Sequence, residues 1–245
     1  KPSLRPVFFW SNSAEGNYLL RQKQYQHDKE DIRIAKWILR NKIRNQLAQL
    51  EKTRKKDTLT QEAINICKTA LSCWINVITD YQKLMGMEGY VSKAFFSAYY
   101  QDLGWQSRKP RTKCDVLNAT LDIGYTMLFN FTECFVRMFG FDIYVGVFHR
   151  LWFKRKSLIC DLMEPFRCIV DHTVRTAYNR KQFTSKDFSL YKGEYRLKIE
   201  KNSDYAKVFF DALVPHKTEI FIFIRSYYRC FMKGKDTSHY PTFTF

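Results

Sequence analysis

Three acidic side chains and one histidine carry donor atoms that suit a divalent metal ion. Glu88 lies between two glycines, His149 ends an apolar stretch just before a positive charge, and Asp161 and Glu164 lie three residues apart. One imidazole with two or three carboxylates, and no cysteine, suits Mg²⁺ or Mn²⁺ rather than structural zinc. Such an ion holds a scissile phosphate and helps to activate an attacking hydroxyl. The residue types therefore indicate metal-dependent phosphodiester chemistry.

Each of these residues also has a purely structural interpretation. A histidine near the end of an apolar segment is often only a hydrogen-bonding partner. Asp161 followed three residues later by Glu164 matches a helix N-cap, with Pro165 tolerated in the first turn. Glu88 matches a first-turn acid favoured by the helix dipole. Spacing and chemistry alone leave both interpretations open.

Positive charge is the strongest feature of the composition. Forty-one Lys and Arg residues oppose 24 Asp and Glu residues, which gives a formal net charge of +17. A surplus of this size favours a polyanionic partner, because neutralised phosphates release condensed counterions. Six residues in two short basic segments are candidate DNA contacts, although such runs are also common on solvated faces: Arg108, Lys109, Arg111, Lys154, Arg155 and Lys156.

The cysteines and the apolar segments bear on the compartment. The seven cysteines include no CxxC pair, which favours reduced thiols over a disulfide framework or a zinc knuckle. The longest apolar stretch, residues 125–149, is interrupted by Glu133, Arg137 and Asp142, so it is not expected to span a membrane. The opening residues lack the arrangement of a signal peptide. We expect a cytoplasmic protein with no membrane partner.

The elements that must position these residues are mostly helical, because glycine and proline are few and helical periodicity is widespread. A short strand is predicted within residues 1–16 and a hairpin near Lys192-Gly193. The other predictions are helices from Tyr18 to the 54–57 break, from there to Gly86, from Glu88 to about Gln101, from Val116 to Phe139, from Asp161 to about Arg180 and from Ser203 to Lys233. These bounds place Glu88 and Asp161 at helix ends in a mainly α fold.

Several motifs in fixed order resemble one known family. They are Arg108–Asn118, Gly124-Tyr-Thr-Met-Leu128, Gly140-Phe-Asp142 through Gly146-Val-Phe-His149, and Ser157–Arg167 with Asp161-Leu-Met-Glu164-Pro165-Phe166-Arg167. Further pieces agree, among them Lys42-Ile43-Arg44-Asn45-Gln46 and Met87-Glu88-Gly89. Together these motifs resemble the CRISPR integrase family, "Cas-one", over nearly the whole chain.

The resemblance implies a helical catalytic domain over residues 18–245. Residues 1–17 would be the end of a β-rich N-terminal lobe or a linker, so that only a remnant or truncated form of that lobe is present. The implied Mg²⁺ or Mn²⁺ ligands are Glu88, His149 and Glu164, with Asp161 as an assisting catalytic acid. The same motif makes Arg167 a candidate contact to an acid or to DNA.

The implied reaction is a transesterification, in which the 3′-hydroxyl of a captured DNA fragment attacks the edge of a CRISPR repeat. Expected partners are double-stranded DNA, further copies of the chain as a homodimer or larger assembly, and possibly a "Cas-two" dimer. Tyr99 and Tyr100 would either stack on a splayed DNA end or lie in the core. The alternatives are a related integrase of a mobile element and a non-catalytic basic scaffold that binds nucleic acid.

Overall fold

The computed structural model describes residues 17–28, 30–54 and 56–245. Within these ranges the fold is mainly α, and no helix is long and apolar enough to cross a membrane. The helices are α1 Tyr18–Gln26, α2 Arg33–Glu51, α3 Thr58–Thr69, α4 Ile75–Val77, α5 Tyr81–Tyr99, α6 Val116–Met138, α7 Ser157–Leu162, α8 Arg167–Asn179, α9 Asn202–Leu213 and α10 Lys217–Met232. Strands β1 Phe188–Tyr191 and β2 Glu194–Leu197 form an antiparallel hairpin. The predicted strand within residues 1–16 lies outside the described residues.

Helix α2 is the central element because it is buried on an apolar and on a polar side. Its apolar residues Ile38, Leu39 and Ile43 have almost no exposed surface. On the polar side, Asn45 Nδ2 donates to the carbonyl oxygen of Pro165 at 2.9 Å, and Gln49 Nε2 donates to a backbone carbonyl at the start of α8. Buried amides need such partners, so they fix the turn before α8 against α2.

Helix α5 begins earlier than the sequence predicts. Asp80 accepts a hydrogen bond from the backbone N–H of Lys83 and caps the helix at its start, so α5 runs unbroken from Tyr81 to Tyr99. The prediction that Gly86 closes one helix and that Glu88 opens the next was wrong. A helix-interior glycine only weakens the helix, whereas the Asp80 cap defines its start. Glu88 therefore lies in the middle of α5.

Three other helix predictions were corrected by interruptions. The helix expected from Tyr18 is divided into α1 and α2, with residues 27–32 between them. The helix expected from Ser203 to Lys233 is divided into α9 and α10 by a 3-10 turn that contains Pro215, a residue without a backbone N–H. In place of the helix expected from Asp161 there are three elements: α7, which already contains Asp161, a 3-10 turn Glu164–Phe166 that contains Pro165, and α8.

The predictions for α6 and the hairpin were confirmed. Helix α6 covers Val116–Met138, and Gly140 follows it with a positive φ of 80°, as expected of a glycine C-terminal stop. Gly193 has a φ of 81° in the hairpin turn. Within α6, a Cβ at Gly124 would lie 2.6 Å from Val170 Cγ1, so α6 and α8 pack closely because this residue has no side chain.

Candidate metal and nucleic-acid site

Two carboxylates from separate parts of the fold meet at one ammonium group. Lys42 Nζ, on α2, lies 2.5 Å from Oε1 of Glu88 on α5 and 2.8 Å from Oε2 of Glu164 in the 3-10 turn. Ser92 Oγ, one turn along α5, also donates to Glu88 Oε1 at 2.8 Å. The Lys42 side chain is 9% exposed and that of Glu164 is 4% exposed. The acidic pair, Glu88 and Glu164, thus shares one buried cation.

The acidic pair remains ionised at neutral pH because of its positive neighbours. Burial by itself would raise the pKa of Glu164, but Arg167, Lys42 and His149 together lower it to about 2. Burial opposes ionisation of Glu88 as well, and Lys42 lowers its pKa below the ordinary value. Burial would lower the pKa of Lys42, and the two carboxylates instead hold it above its usual range.

Arg167 is the second cation of this cluster. Its Nε lies 2.9 Å from Glu164 Oε2, and its guanidinium carbon lies 4.5 Å from the centroid of the Tyr125 ring. The Tyr125 hydroxyl in turn donates to Asp171 Oδ1 at 2.5 Å. In this arrangement Arg167 contacts an acid, which was one of its two expected roles. Its contact with DNA stays a prediction.

Asp161 holds His149 in place. Oδ1 of Asp161 lies 2.6 Å from His149 Nδ1 and accepts the backbone N–H of the same histidine at 2.9 Å, while Oδ2 accepts the N–H groups of Val147 and Phe148. A carboxylate only accepts hydrogen bonds, so Nδ1 carries a proton, and in the neutral form of the ring the lone pair is on Nε2. The interpretation of Asp161 as a helix N-cap was wrong, because this residue lies within α7 and binds the loop 147–149.

Gly146 makes this wrapping of the loop possible. A Cβ on this residue would lie 2.6 Å from Asp161 Oδ2 and 2.7 Å from the His149 carbonyl oxygen, distances that real Cβ atoms essentially never show. The loop can therefore close on the Asp161 carboxylate only when position 146 has no side chain.

The donor set fits Mg²⁺ or Mn²⁺ in its chemistry. The acidic pair converges on a single cation, His149 lies close enough to Glu164 to lower its pKa, and Asp161 orients the histidine. Within residues 17–28, 30–54 and 56–245, however, no three His, Cys, Asp or Glu side chains form a ready metal cluster. The ammonium of Lys42 stands where the two carboxylates meet.

The first basic segment contains both structural and exposed residues. Arg108 donates through one guanidinium nitrogen to Asn118 Oδ1 at 2.7 Å and through the other to Asp122 Oδ1 at 2.6 Å. The side chains of Lys109 and Arg111 are exposed, and only their backbone N–H groups bond to Asn118 and Asp122. Arg108 therefore fastens the segment, and the other two have free surface for a phosphate.

The second basic segment is similarly divided. Lys156 Nζ lies 2.8 Å from both carboxylate oxygens of Glu133, and Arg155 is half-buried beside Cys160. The Lys154 side chain is exposed. DNA contact by these residues stays a prediction, and within this segment only Lys154 is exposed, as Lys109 is in the first segment.

Sequence reasoning assigned no role to two groups of residues at this site. Lys42 appeared only within a family motif, since nothing in its spacing showed that two distant acids converge on it. Leu151, Trp152 and Phe153, which follow Arg150, are 66, 74 and 82% exposed. An apolar triplet between Arg150 and the basic run that begins at Lys154 was the available signal.

Tyr99 and Tyr100 belong to the core. They are 3% and 0% exposed, and the Tyr100 hydroxyl donates to the backbone oxygen of Asp171 at 2.9 Å. Burial raises the pKa of Tyr100 well above its ordinary value. Of the two expectations for this pair, the structure supports core packing.

Comparison with known proteins identifies the family. The family model "CRISPR associated protein Cas1" matches residues 4–210. "CRISPR-associated endonuclease Cas1 1" of Thermodesulfovibrio yellowstonii is 32% identical over 182 residues, which cover 70% of this chain and 57% of that protein. "CRISPR-associated endonuclease Cas1" of Leptospira interrogans is 28% identical over 185 residues, which cover 69% of this chain and 73% of that protein.

Solved structures share the fold. One described as "Cas6-RT-Cas1--Cas2 complex" superposes with a TM-score of 0.85 at 21% identity and covers 94% of this chain and 27% of that one. A structure described as "Casposase bound to integration product" superposes with a TM-score of 0.74 at 22% identity, and the match covers 90% of this chain and 67% of that one. The chain spans 57% of the length of the Thermodesulfovibrio relative. On the strength of the family match, which extends over most of its length, this chain belongs to the Cas1 family of CRISPR associated proteins.

Proposed function

We propose that this chain is the catalytic lobe of a metal-dependent DNA integrase and endonuclease of CRISPR adaptation. The observation that carries this proposal is the convergence of Glu88 and Glu164 on one buried cation, beside a histidine oriented by Asp161. Membership in the Cas1 family and the endonuclease relatives support it.

Glu88, Glu164 and Nε2 of His149 would hold the Mg²⁺ or Mn²⁺ ion. When bound, the ion supplies positive charge that stabilises the transition state of phosphoryl transfer. Asp161 acts as a positioning residue, because its hydrogen bond to Nδ1 keeps the imidazole in the tautomer that presents Nε2. Arg167 keeps Glu164 ionised and therefore able to act as a ligand.

The reaction exchanges one phosphodiester bond for another. The 3′-hydroxyl oxygen of a captured fragment forms a bond to a repeat phosphorus, the bond from that phosphorus to the 3′-oxygen of the repeat strand breaks, and the hydroxyl proton ends on the released oxygen. With water as the nucleophile, the same displacement is strand cleavage. The number of phosphodiester bonds is conserved in joining and falls by one in cleavage.

The partners follow from the charge and the reaction. Double-stranded DNA, both as the captured fragment and as the CRISPR repeat, matches the net charge of +17. Two staggered joints need two active sites, so we propose a homodimer or larger assembly of this chain. A Cas2 dimer is a further proposed partner, supported by the related fold in the "Cas6-RT-Cas1--Cas2 complex".

Strand transfer into repeat-containing DNA tests the proposal. With Mn²⁺ or Mg²⁺ present, we expect Glu88→Gln, His149→Ala and Glu164→Gln each to reduce joined product by at least about a hundredfold. Glu62→Gln changes an exposed acid on α3 and serves as the matched control with full activity.

Retention of full strand transfer by all three site variants would show that the assignment is wrong. A non-catalytic scaffold makes a different prediction: DNA binding that needs no metal, weakens steeply with salt and leads to no joining or cleavage.

A further inference from the structure

Lys42 occupies the position at which the acidic pair would bind a divalent ion. Its Nζ contacts one oxygen of Glu88 and one oxygen of Glu164, and its side chain is 9% exposed. The side-chain amides of Asn45 and Gln49 on α2 donate to backbone carbonyls of Pro165 and Cys168, and these bonds fix the part of α2 that carries Lys42. The ammonium group is therefore a built part of the cluster and not a mobile surface charge.

The charges of the cluster already cancel without a metal. Lys42 and Arg167 contribute two positive charges, and Glu88 and Glu164 contribute two negative charges. A divalent ion added here would carry two further positive charges into a buried region next to two existing cations. Repulsion between buried charges is strong because little water screens it.

We propose that Lys42 is an internal counter-cation that competes with the divalent metal for Glu88 and Glu164, so that metal and DNA bind cooperatively. This inference rests on the proposed function, because it takes those two residues as metal ligands. In the metal-free protein Lys42 holds the carboxylates together and prevents their mutual repulsion. When DNA binds, the negative charge of a phosphate compensates the positive charge of the metal ion and that of the displaced ammonium group.

Lys42 is thus a positioning residue before DNA arrives and a phosphate partner afterwards. Its four-carbon side chain allows the ammonium to withdraw from the carboxylates without movement of α2. Arg167 is not equivalent, since it contacts only Glu164 of the acidic pair and also lies against the Tyr125 ring. The bridging contact to both acids belongs to Lys42.

Direct measurement of Mn²⁺ binding tests the proposal without reference to activity. The whole chain is titrated with Mn²⁺ and free ion is followed by electron paramagnetic resonance, with and without a duplex whose 3′ ends are dideoxy-terminated. Without DNA, we expect Lys42→Met and Lys42→Gln to bind Mn²⁺ about tenfold or more tightly than the unaltered chain, because a buried repulsive charge is gone. Lys42→Arg keeps the charge and should retain the weak affinity.

A second arm compares Mn²⁺ binding with and without DNA, and its main result comes from the unaltered chain, so that result does not depend on the folding of a variant. DNA should tighten its Mn²⁺ binding by about tenfold or more, and the same DNA should improve the affinity of Lys42→Met by a smaller factor. Circular dichroism and thermal unfolding confirm that each variant is folded.

The outcomes separate this inference from the proposed function. If Mn²⁺ binds and Glu88→Gln abolishes binding, but the neutral Lys42 variants bind no more tightly than the unaltered chain, the inference is overturned and the metal site stands. An unaltered chain whose Mn²⁺ affinity is not improved by DNA also overturns the inference. If no Mn²⁺ binding depends on Glu88 or Glu164, with or without DNA, both the inference and the metal site are overturned.

Discussion

The imidazole Nδ1 of His149 lies 2.6 Å from Oδ1 of Asp161, a carboxylate with no exposed surface. The same carboxylate accepts three consecutive backbone N–H groups of the loop that carries the histidine. Asp161 therefore fixes both the ring and the backbone of His149, and we expect a change at Asp161 to affect the stability of the protein and the orientation of the imidazole together.

Asp161→Asn should lower the free energy of unfolding by about 2–4 kcal/mol, because the amide NH₂ group would face N–H donors inside the protein. Urea denaturation measures this loss, and nitrogen NMR of the histidine ring measures the change in tautomer. Asp204→Asn alters an acid whose side chain is 63% exposed and is the control. An Asp161→Asn protein with unchanged stability would contradict the assigned role of this carboxylate.

Gly146→Ala should destabilise the protein by about 1–3 kcal/mol and reduce strand transfer, because the new methyl group overlaps the Asp161 carboxylate and the His149 carbonyl. Gly86→Ala is the matched control: apart from its chain neighbours and the backbone of α5 itself, nothing lies within 4 Å of the added Cβ, so we expect about 0.5–1 kcal/mol of stabilisation. Thermal unfolding of the two variants side by side measures the difference. Equal melting temperatures would exclude the close approach at Gly146.

The two exposed residues of the first basic segment should differ from Arg108. Lys109→Ala and Arg111→Ala should leave stability unchanged and each reduce the salt slope of DNA binding by about one, as expected for the loss of a single phosphate contact. Arg108→Ala should instead destabilise the protein, because Asn118 and Asp122 each lose a hydrogen bond from the guanidinium group. Fluorescence anisotropy at several salt concentrations, with urea denaturation, distinguishes the two classes. An Arg108→Ala variant of unchanged stability and a reduced slope would reverse the assignment.

The apolar triplet after His149 provides a matched set for testing base stacking. Trp152→Ala and Phe153→Ala should weaken binding of a DNA with single-stranded 3′ ends by about 1–3 kcal/mol per stacked base. Leu151→Ala, in the same exposed loop, removes apolar area without an aromatic face and should have little effect. All three should fold normally. Equal losses in the three variants would indicate general apolar contact and not stacking.

Asp171 should make stability depend on pH. Burial is the main cause that raises its pKa from the ordinary 3.8 to about 6, against the opposing effects of the Tyr125 hydrogen bond and of Arg167. As the pH rises from about 4 to 6, the unfolded chain ionises this acid before the folded protein does. Asp171 therefore contributes stability at low pH that is lost as the pH passes through 6, about 2–3 kcal/mol in all.

Asp171→Asn removes this ionisation, so the stability difference between the unaltered chain and the variant should change by that amount between pH 4 and pH 7. Urea midpoints at four pH values measure it. Parallel curves for the two proteins would show that Asp171 titrates normally.

The sequence predicted α6 and the hairpin well because glycines with positive φ mark their ends, at Gly140 and Gly193. It failed at α5, where Gly86 looked like a terminator and Asp80 was the local signal that set the helix start. Local sequence cannot decide between a glycine that ends a helix and one that lies within it. Whether the helix continues past the glycine also depends on how it packs against neighbouring helices.

The site was predictable as a set of residues but not as an arrangement. Glu88, His149 and Glu164 were identifiable from motifs and donor chemistry, and their use as metal ligands stays a prediction. The position of Lys42 between two of them depends on contacts among α2, α5 and the turn before α8, which no periodicity encodes. The number of basic residues in a segment also could not show which of them have structural roles: Arg108 is hydrogen-bonded to Asn118 and Asp122, whereas Lys109 is exposed.

The wide spacing of the cluster along the chain has a consequence for biogenesis. Lys42 and Glu88 are 46 residues apart, and Glu164 follows 76 residues later, so the cluster forms only through non-local contacts. The entropy cost of closing such long loops precedes the stabilisation that these contacts provide. A growing polypeptide that has not reached residue 164 lacks one of the two acids. Under the proposed function, a nascent chain that has not reached residue 164 would therefore lack the complete metal site.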